Sequence, residues 1–460
     1  MPRLVVLGGG AAGMSAASAA RRTASDLEVV VCEANGFAAY GMCGIPYYVG
    51  GVVAEAEDLL AYPPETFRAE RGIALRLRTR AVAVDSDEHT VVVETAGRRE
   101  TLTYDRLVYA AGAAPVRPPI PGLEHERVFT VRALEEAIRL RGLLDRGIVR
   151  RALVVGAGYI GLETAEALVE KGVEVTIAEA LPRPLTTVDE PLSLLVEKEV
   201  RRHATLLLGT AVTGLRVDGA GLLVALSGRP DLAVDAVVLA VGVRPDSTLL
   251  TAVGARHLRG ALLVDDTMRT SLPDVWAAGD CVAHHHLVFD APAWIPLGPA
   301  ANKTGRVAGT VAAGGTARFG GVVGTAVVKV FDLGVARTGL TLDEAGPDAV
   351  TTDAVHRSRA KYYPGGHPLH VRLVHEPGGR LLGGQLAGRD GVAKRIDVLA
   401  TALHAGLSVA QLAELDLSYA PPFAPVYDPV LIAAQQALRG DRPRAEPAEP
   451  TRAKPAETTA

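Results

Sequence analysis

Arg3 to Leu7 is a short apolar run that ends in glycines, and small residues from Ala11 to Arg22 follow it. A second apolar, β-branched run covers Leu27 to Cys32. Such an order predicts a strand, a tight turn, a helix and a second strand. The pattern recurs, with a strand at Arg151–Val155, a turn at Gly156–Gly161, a helix at Leu162–Lys171 and a strand at Val173–Ala178. Two such units imply a duplicated architecture, not a short-period repeat. Arg117–Gly122 reads as a linker, and Val243-Arg244-Pro245 as a return crossing. From about Thr325 the pattern becomes alternating strands, then a helix near Lys394–Ala405, which predicts a separate α+β domain. The segment from about Gly440 is rich in Pro, Ala, Glu and Arg without apolar periodicity, and is expected to be disordered.

The 460 residues suggest about two to four domains. The chain is 48% hydrophobic but only 4% aromatic, so Ala, Val, Leu and Gly must do the packing. A net charge of −4 gives no reason to expect nucleic acid as partner. Cys32, Cys43 and Cys281 are odd in number and form no CxxC, which argues against a disulfide-stapled secreted protein or a zinc site and favours a reducing cytoplasm. The apolar stretch Leu4–Ala20 is broken by Gly8, Gly9, Gly10 and Gly13, so it is not read as a signal peptide. No apolar run reaches transmembrane length, while peripheral membrane contact stays open. His284-His285-His286 cannot all face one ion from a strand, and no metal is expected there.

The glycines carry the first chemistry. Gly8-x-Gly10-x-x-Gly13 lies between strand and helix, with Glu33 about twenty residues on. Gly156-x-Gly158-x-x-Gly161 repeats the arrangement, with Glu179 at the corresponding place. Such a turn lets the backbone approach a pyrophosphate at a helix N-terminus, and the acidic residue can accept from ribose hydroxyls. A carboxylate at Glu179 favours a free 2′-hydroxyl over a 2′-phosphate, so NADH is expected over NADPH.

Tyr40-Gly-Met-Cys43-Gly-Ile-Pro46-Tyr-Tyr-Val-Gly-Gly51 carries the second. Pro46 suits the first turn of a helix. Cys43 would then precede that helix, where the dipole favours a thiolate. Cys32 and Cys281 read as buried packing residues.

With Tyr362-Tyr-Pro-Gly365, Pro368-Leu-His370, Lys394-Arg-Ile-Asp397 and Tyr419-Ala-Pro-Pro-Phe423, the chain resembles the coenzyme A-disulfide reductases from residue 2 to about 435. These are single-cysteine members of the pyridine nucleotide-disulfide oxidoreductases. The resemblance implies an α/β fold with two Rossmann-like FAD- and NAD-binding domains and a C-terminal α+β dimerisation domain. It places the FAD domain at 1–114 and 245–322, the NAD domain at 115–244, the dimerisation domain at 323–439 and the tail at 440–460. Leu107–Gly112 and Val275–Asp280 resemble paired flavoprotein signatures, which assigns FAD to the first fingerprint together with Ala111, Gly112, Gly279 and Asp280.

The resemblance makes Cys43 a redox nucleophile that forms a mixed disulfide with coenzyme A, assisted by Tyr362 and Tyr419 of a partner subunit in a homodimer. It assigns Arg22, Arg71, Asn302 and Arg306 to coenzyme A, Tyr159 to a gate over the nicotinamide, and Glu163 to the flavin–nicotinamide stack. Ala11 stands where peroxidases and many oxidases of the family carry histidine, which weighs against peroxide chemistry. No rhodanese segment is expected after residue 440. Coenzyme A-persulfide or polysulfide reduction, NADH oxidation, slow redox sensing and quinone reduction remain alternatives.

Overall fold

A computed structural model describes residues 1–440 except Ala220 and Gly378. The expected disordered tail, past Gly440, lies outside the described residues.

The first apolar run forms the central strand, Arg3–Leu7, of a five-stranded parallel sheet. Glu28–Cys32 and then Ile73–Arg76 lie on one side of it, Arg106–Tyr109 and then Val275–Ala277 on the other. A second parallel sheet repeats this plan around Arg151–Val155. It is flanked by Glu174–Ala178 and Thr205–Leu207 on one side, and by Ala236–Leu239 and Val128–Phe129 on the other. Four of the five residues in each central strand are fully buried, as expected where helices or other strands cover both faces.

The chain passes from the first sheet to the second and back through two neighbouring crossings. Ala113–Pro115 and Val243–Pro245 pair antiparallel, with Arg244 opposite Ala114. The last unit is a five-stranded antiparallel sheet spanning Ala326–Gly388, packed with the helices Val392–His404 and Pro429–Gly440. Its core joins Leu369, Val371, Leu373 and Leu386 to Ile396, Leu399 and Val430. At its base Arg395 is wholly buried and paired with Asp428 at 2.9 Å.

The second helix begins at Tyr159, three residues before the sequence pattern suggested. Gly161 is therefore inside its first turn. A Cβ there would lie 2.0 Å from the Gly156 carbonyl oxygen, so only glycine lets this turn sit on the strand end. Gly13 stands in the same relation to Gly8, at 1.8 Å.

The antiparallel unit grips the second Rossmann unit through polar and ring contacts. Glu166 accepts from the Phe331 amide at 2.7 Å and pairs with Lys329. Asp189 pairs with Arg372 at 3.2 Å, and the His203 ring stacks on Phe331 at 4.1 Å.

Candidate active site

The two fingerprints are built alike, atom for atom. Gly8 and Gly156 have φ of +107° and +103°, in the region that favours glycine. The Gly9 amide donates to Glu33 Oε2 at 2.6 Å, and the Ala157 amide donates to Glu179 Oε2 at 2.7 Å. Glu33 Oε1 takes the Asn35 amide at 2.8 Å, and Glu179 Oε1 takes the Leu181 amide at 2.9 Å. Each carboxylate is thus fixed by backbone at the rim of its turn, with lone pairs left for ribose hydroxyls.

Both turns suit a dinucleotide. At the middle glycines the backbone faces open space: a Cβ on Gly10 would meet only Met42 Cε at 3.8 Å, and on Gly158 nothing within 4 Å. Neither helix has an acidic residue in its first turn to compete for the N-terminal amides. Gly112 has φ +75° and Gly279 φ +82°; with Ala111 and Asp280 they lie just past the ends of the strands Arg106–Tyr109 and Val275–Ala277, which pair in the first sheet.

Cys43 sits in a 3₁₀ turn, Met42–Gly44, that leads into the helix Ile45–Gly50. It is exposed, whereas Cys32 and Cys281 are buried. The expected thiolate preference is not met. The thiol is pushed above its usual range, first by partial burial and then by Glu163 and Asp280, with Arg132 opposing them. The following helix has only six residues, too short a dipole to offset the burial and the two carboxylates.

Sequence reasoning missed Arg132. Its Nη2 lies 3.6 Å from Asp280 Oδ2, and its Nε donates to the Ala113 carbonyl at 3.2 Å. The preceding Val131 has φ +53°, a strained setting for a β-branched residue. Burial raises Asp280, and Arg132 restrains that rise.

On the second fingerprint's side, Tyr159 is the first residue of the helix Tyr159–Glu170. Its hydroxyl is buried, with Thr187 beside it but outside hydrogen-bond geometry. Glu163, one turn on, is pushed up to about 7 by burial and then by Glu166. A cleft of about 560 Å³ opens here between Tyr47, Glu163 and the antiparallel unit.

The four residues assigned to coenzyme A fall on one surface. The helices Ala11–Thr23 and Gly298–Ala312 touch so closely that a Cβ on Gly305 would lie 2.1 Å from the Ala12 carbonyl oxygen. Across this contact Ser15 donates to Asn302 Oδ1 at 3.0 Å. Arg71 reaches Ser18 at 3.3 Å while its guanidinium lies 4.1 Å over the Tyr62 ring. Arg22 and Arg306 are exposed one helical turn beyond Ser18 and Asn302 respectively. The sequence held no signal for Ser15, Ser18 or Tyr62, because their partners lie on other elements.

Tyr362 and Tyr419 are both exposed on the antiparallel unit. The groups acting on Cys43 within its own chain are Glu163, Asp280 and Arg132, not these tyrosines. The three histidines alternate: His284 and His286 point inward, and His285 points out toward Asp290. Among the described residues no cluster could hold a metal ion, and no helix is long and apolar enough to cross a membrane.

Residues 2–310 match the family described as pyridine nucleotide-disulphide oxidoreductase, and residues 325–429 match its dimerisation domain. The chain belongs to this family. Members use FAD and NAD(P)H, which fits the two glycine turns. The chain is 36% identical over 440 residues to a Pyrococcus horikoshii NAD(P)H coenzyme A polysulfide/persulfide reductase, covering 94% of this chain and 98% of the relative. It is 30% identical over 431 residues to a Staphylococcus aureus coenzyme A disulfide reductase, covering 92% and 97%. A solved NAD-dependent persulfide reductase from A. fulgidus superposes with a TM-score of 0.91 at 39% identity, covering 95% of this chain and 83% of that one.

Proposed function

We propose that the chain passes electrons from NADH through FAD to a mixed disulfide at Cys43, and so reduces coenzyme A disulfide to coenzyme A. One observation supports this: Cys43 is the only exposed thiol and feels the charges of Glu163 on the second fingerprint's helix and Asp280 beside the first, while the other two cysteines are buried. Lacking a partner cysteine, Cys43 must take its second sulfur from a small thiol.

In this reading the first turn, Glu33, Ala111, Gly112, Gly279 and Asp280 hold FAD. The second turn, Tyr159, Glu163 and Glu179 hold NADH. Bound FAD supplies the two-electron link between nicotinamide and disulfide. Arg22, Arg71, Asn302 and Arg306 form a polar, cationic strip suited to the phosphates of coenzyme A, since guanidinium groups bind them bidentately. Tyr362 and Tyr419 act from the partner subunit of a homodimer, where a hydroxyl pair can donate to the leaving sulfur. The raised thiol of Cys43 makes Arg132 the cation that favours its thiolate form. A reducing cytoplasm suits this cycle.

The closer likeness to coenzyme A persulfide reductases favours a second reading, in which the mixed species is a persulfide of coenzyme A. The test is the intact mass of the protein before and after reduction, with turnover measured on both acceptors. A thiol-releasable coenzyme A adduct, absent from Cys43→Ser, is expected. That variant should keep FAD and lose disulfide reduction. Wild-type disulfide reduction by Cys43→Ser would refute the reading.

A further inference from the structure

The cleft between the Tyr159–Glu170 helix and the hairpin Ala326–Gly339 is lined by several ionisable groups, and all but two of them are held in ion pairs. Lys329 is bound to Glu166. Arg389 lies 3.4 Å from Asp332 and 3.7 Å from Glu199, and Asp390 lies 2.7 Å from Arg359. Among the described residues, Glu163 forms neither an ion pair nor a hydrogen bond. It lines the cleft together with Tyr47, and Tyr47 and Cys43 both feel its charge. A half-buried carboxyl without a partner, in contact with open volume, can exchange protons with water and deliver them inward.

Reduction of a disulfide needs such a group. NADH gives a hydride, which is two electrons and one proton. Cleaving the S–S bond consumes the two electrons, and converting both sulfurs to thiols consumes two protons. The second proton must come from the protein and be replaced from water.

We propose that Glu163 carries this second proton, recharged through the cleft, and that Glu166 and Lys329 are positioning residues that tune it. The inference rests on the function proposed above. Glu163 and Glu166 share one face of the helix three residues apart, so the charge of Glu166 opposes ionisation of Glu163. Lys329 and the Phe331 amide hold Glu166 in place. The other groups facing Glu163 are Cys43 and Tyr47 on the active-site turn and helix, and Asp332, Arg389 and Asp390 at the cleft wall. Glu163 titrates near 7, so it holds its proton below neutral pH and releases it above.

The test uses the FAD-loaded enzyme and two readouts. Infrared difference spectra without acceptor should show a protonated carboxyl that titrates near neutral pH and is missing in E163Q. The pH profile of disulfide reduction should fall through the same pH in the wild type. E163Q should lose this fall and run about tenfold or more slower. E166Q removes the like charge and should move the fall to lower pH. K329Q removes the counter-cation of Glu166 and should move it to higher pH, each by roughly half a unit or more. Lys329 is largely exposed, so K329Q should fold even if E166Q does not. A titrating carboxyl with profiles that move in neither variant overturns the relay and leaves the function standing. A titrating carboxyl with no NADH turnover on any coenzyme A disulfide or persulfide overturns the function, and the relay with it.

Discussion

The Tyr362 and Tyr419 hydroxyls are hydrogen-bonded to each other at 3.0 Å, although 57 residues separate them in the chain. The bond raises the Tyr419 phenol, since one hydroxyl must remain a donor. A pair of this kind acts as a unit, so Tyr362→Phe and Tyr419→Phe should each slow disulfide reduction, and the double variant should be little slower than either. Reduction of the flavin by NADH should stay near the wild-type rate, because the role proposed for the pair is confined to the disulfide half-reaction. Stopped-flow traces of both half-reactions check this. If the pair acts across subunits, activity should also fall on dilution below the dimer dissociation constant.

Glu179 holds its turn through the amides of Ala157 and Leu181. Its remaining lone pairs suit a ribose hydroxyl and repel a phosphate. The kcat/KM for NADH should exceed that for NADPH by about tenfold or more, equivalent to ~1.4 kcal/mol of discrimination. Glu179→Ala should bring the two values together while lowering both, because two backbone amides lose their acceptor. Equal values in the wild type would contradict the assignment.

Arg395 is wholly buried and depends on Asp428 for its counter-charge. Asp428→Ala should destabilise the antiparallel unit by about 3–5 kcal/mol, the usual cost of leaving a buried charge unpaired. Replacing both residues with apolar ones should recover much of that loss. Denaturant unfolding of the three variants decides it.

His284 is buried beside Phe319, and burial pushes its imidazole down from 6.5 to about 4. Between those values the unfolded chain takes up a proton that the folded chain refuses. Stability should therefore fall as pH drops through this window, by about 3 kcal/mol at its lower end. His284→Leu should flatten the acid side of a melting-temperature profile. An unchanged acid slope would exclude His284 as its source.

Both glycine turns, their acidic partners and the isolation of Cys43 could be read from the sequence. These features are local: a strand end, a turn and a helix start fix one another within about thirty residues, as in any βαβ unit. The sequence also marked the third unit as a separate α+β domain, from its strands followed by a helix; that its five strands pair antiparallel came from the tertiary structure. Only the tertiary structure decided the ionisation around Cys43. The helix dipole belongs to the adjoining segment Ile45–Gly50, whereas Glu163, Asp280 and Arg132 arrive from three other parts of the chain. The same holds for Glu166 and Lys329, for Ser15 against Asn302, and for Tyr362 against Tyr419. Charges and hydroxyls act through space over a few ångströms, and the order of residues along the chain does not record which of them folding brings that close.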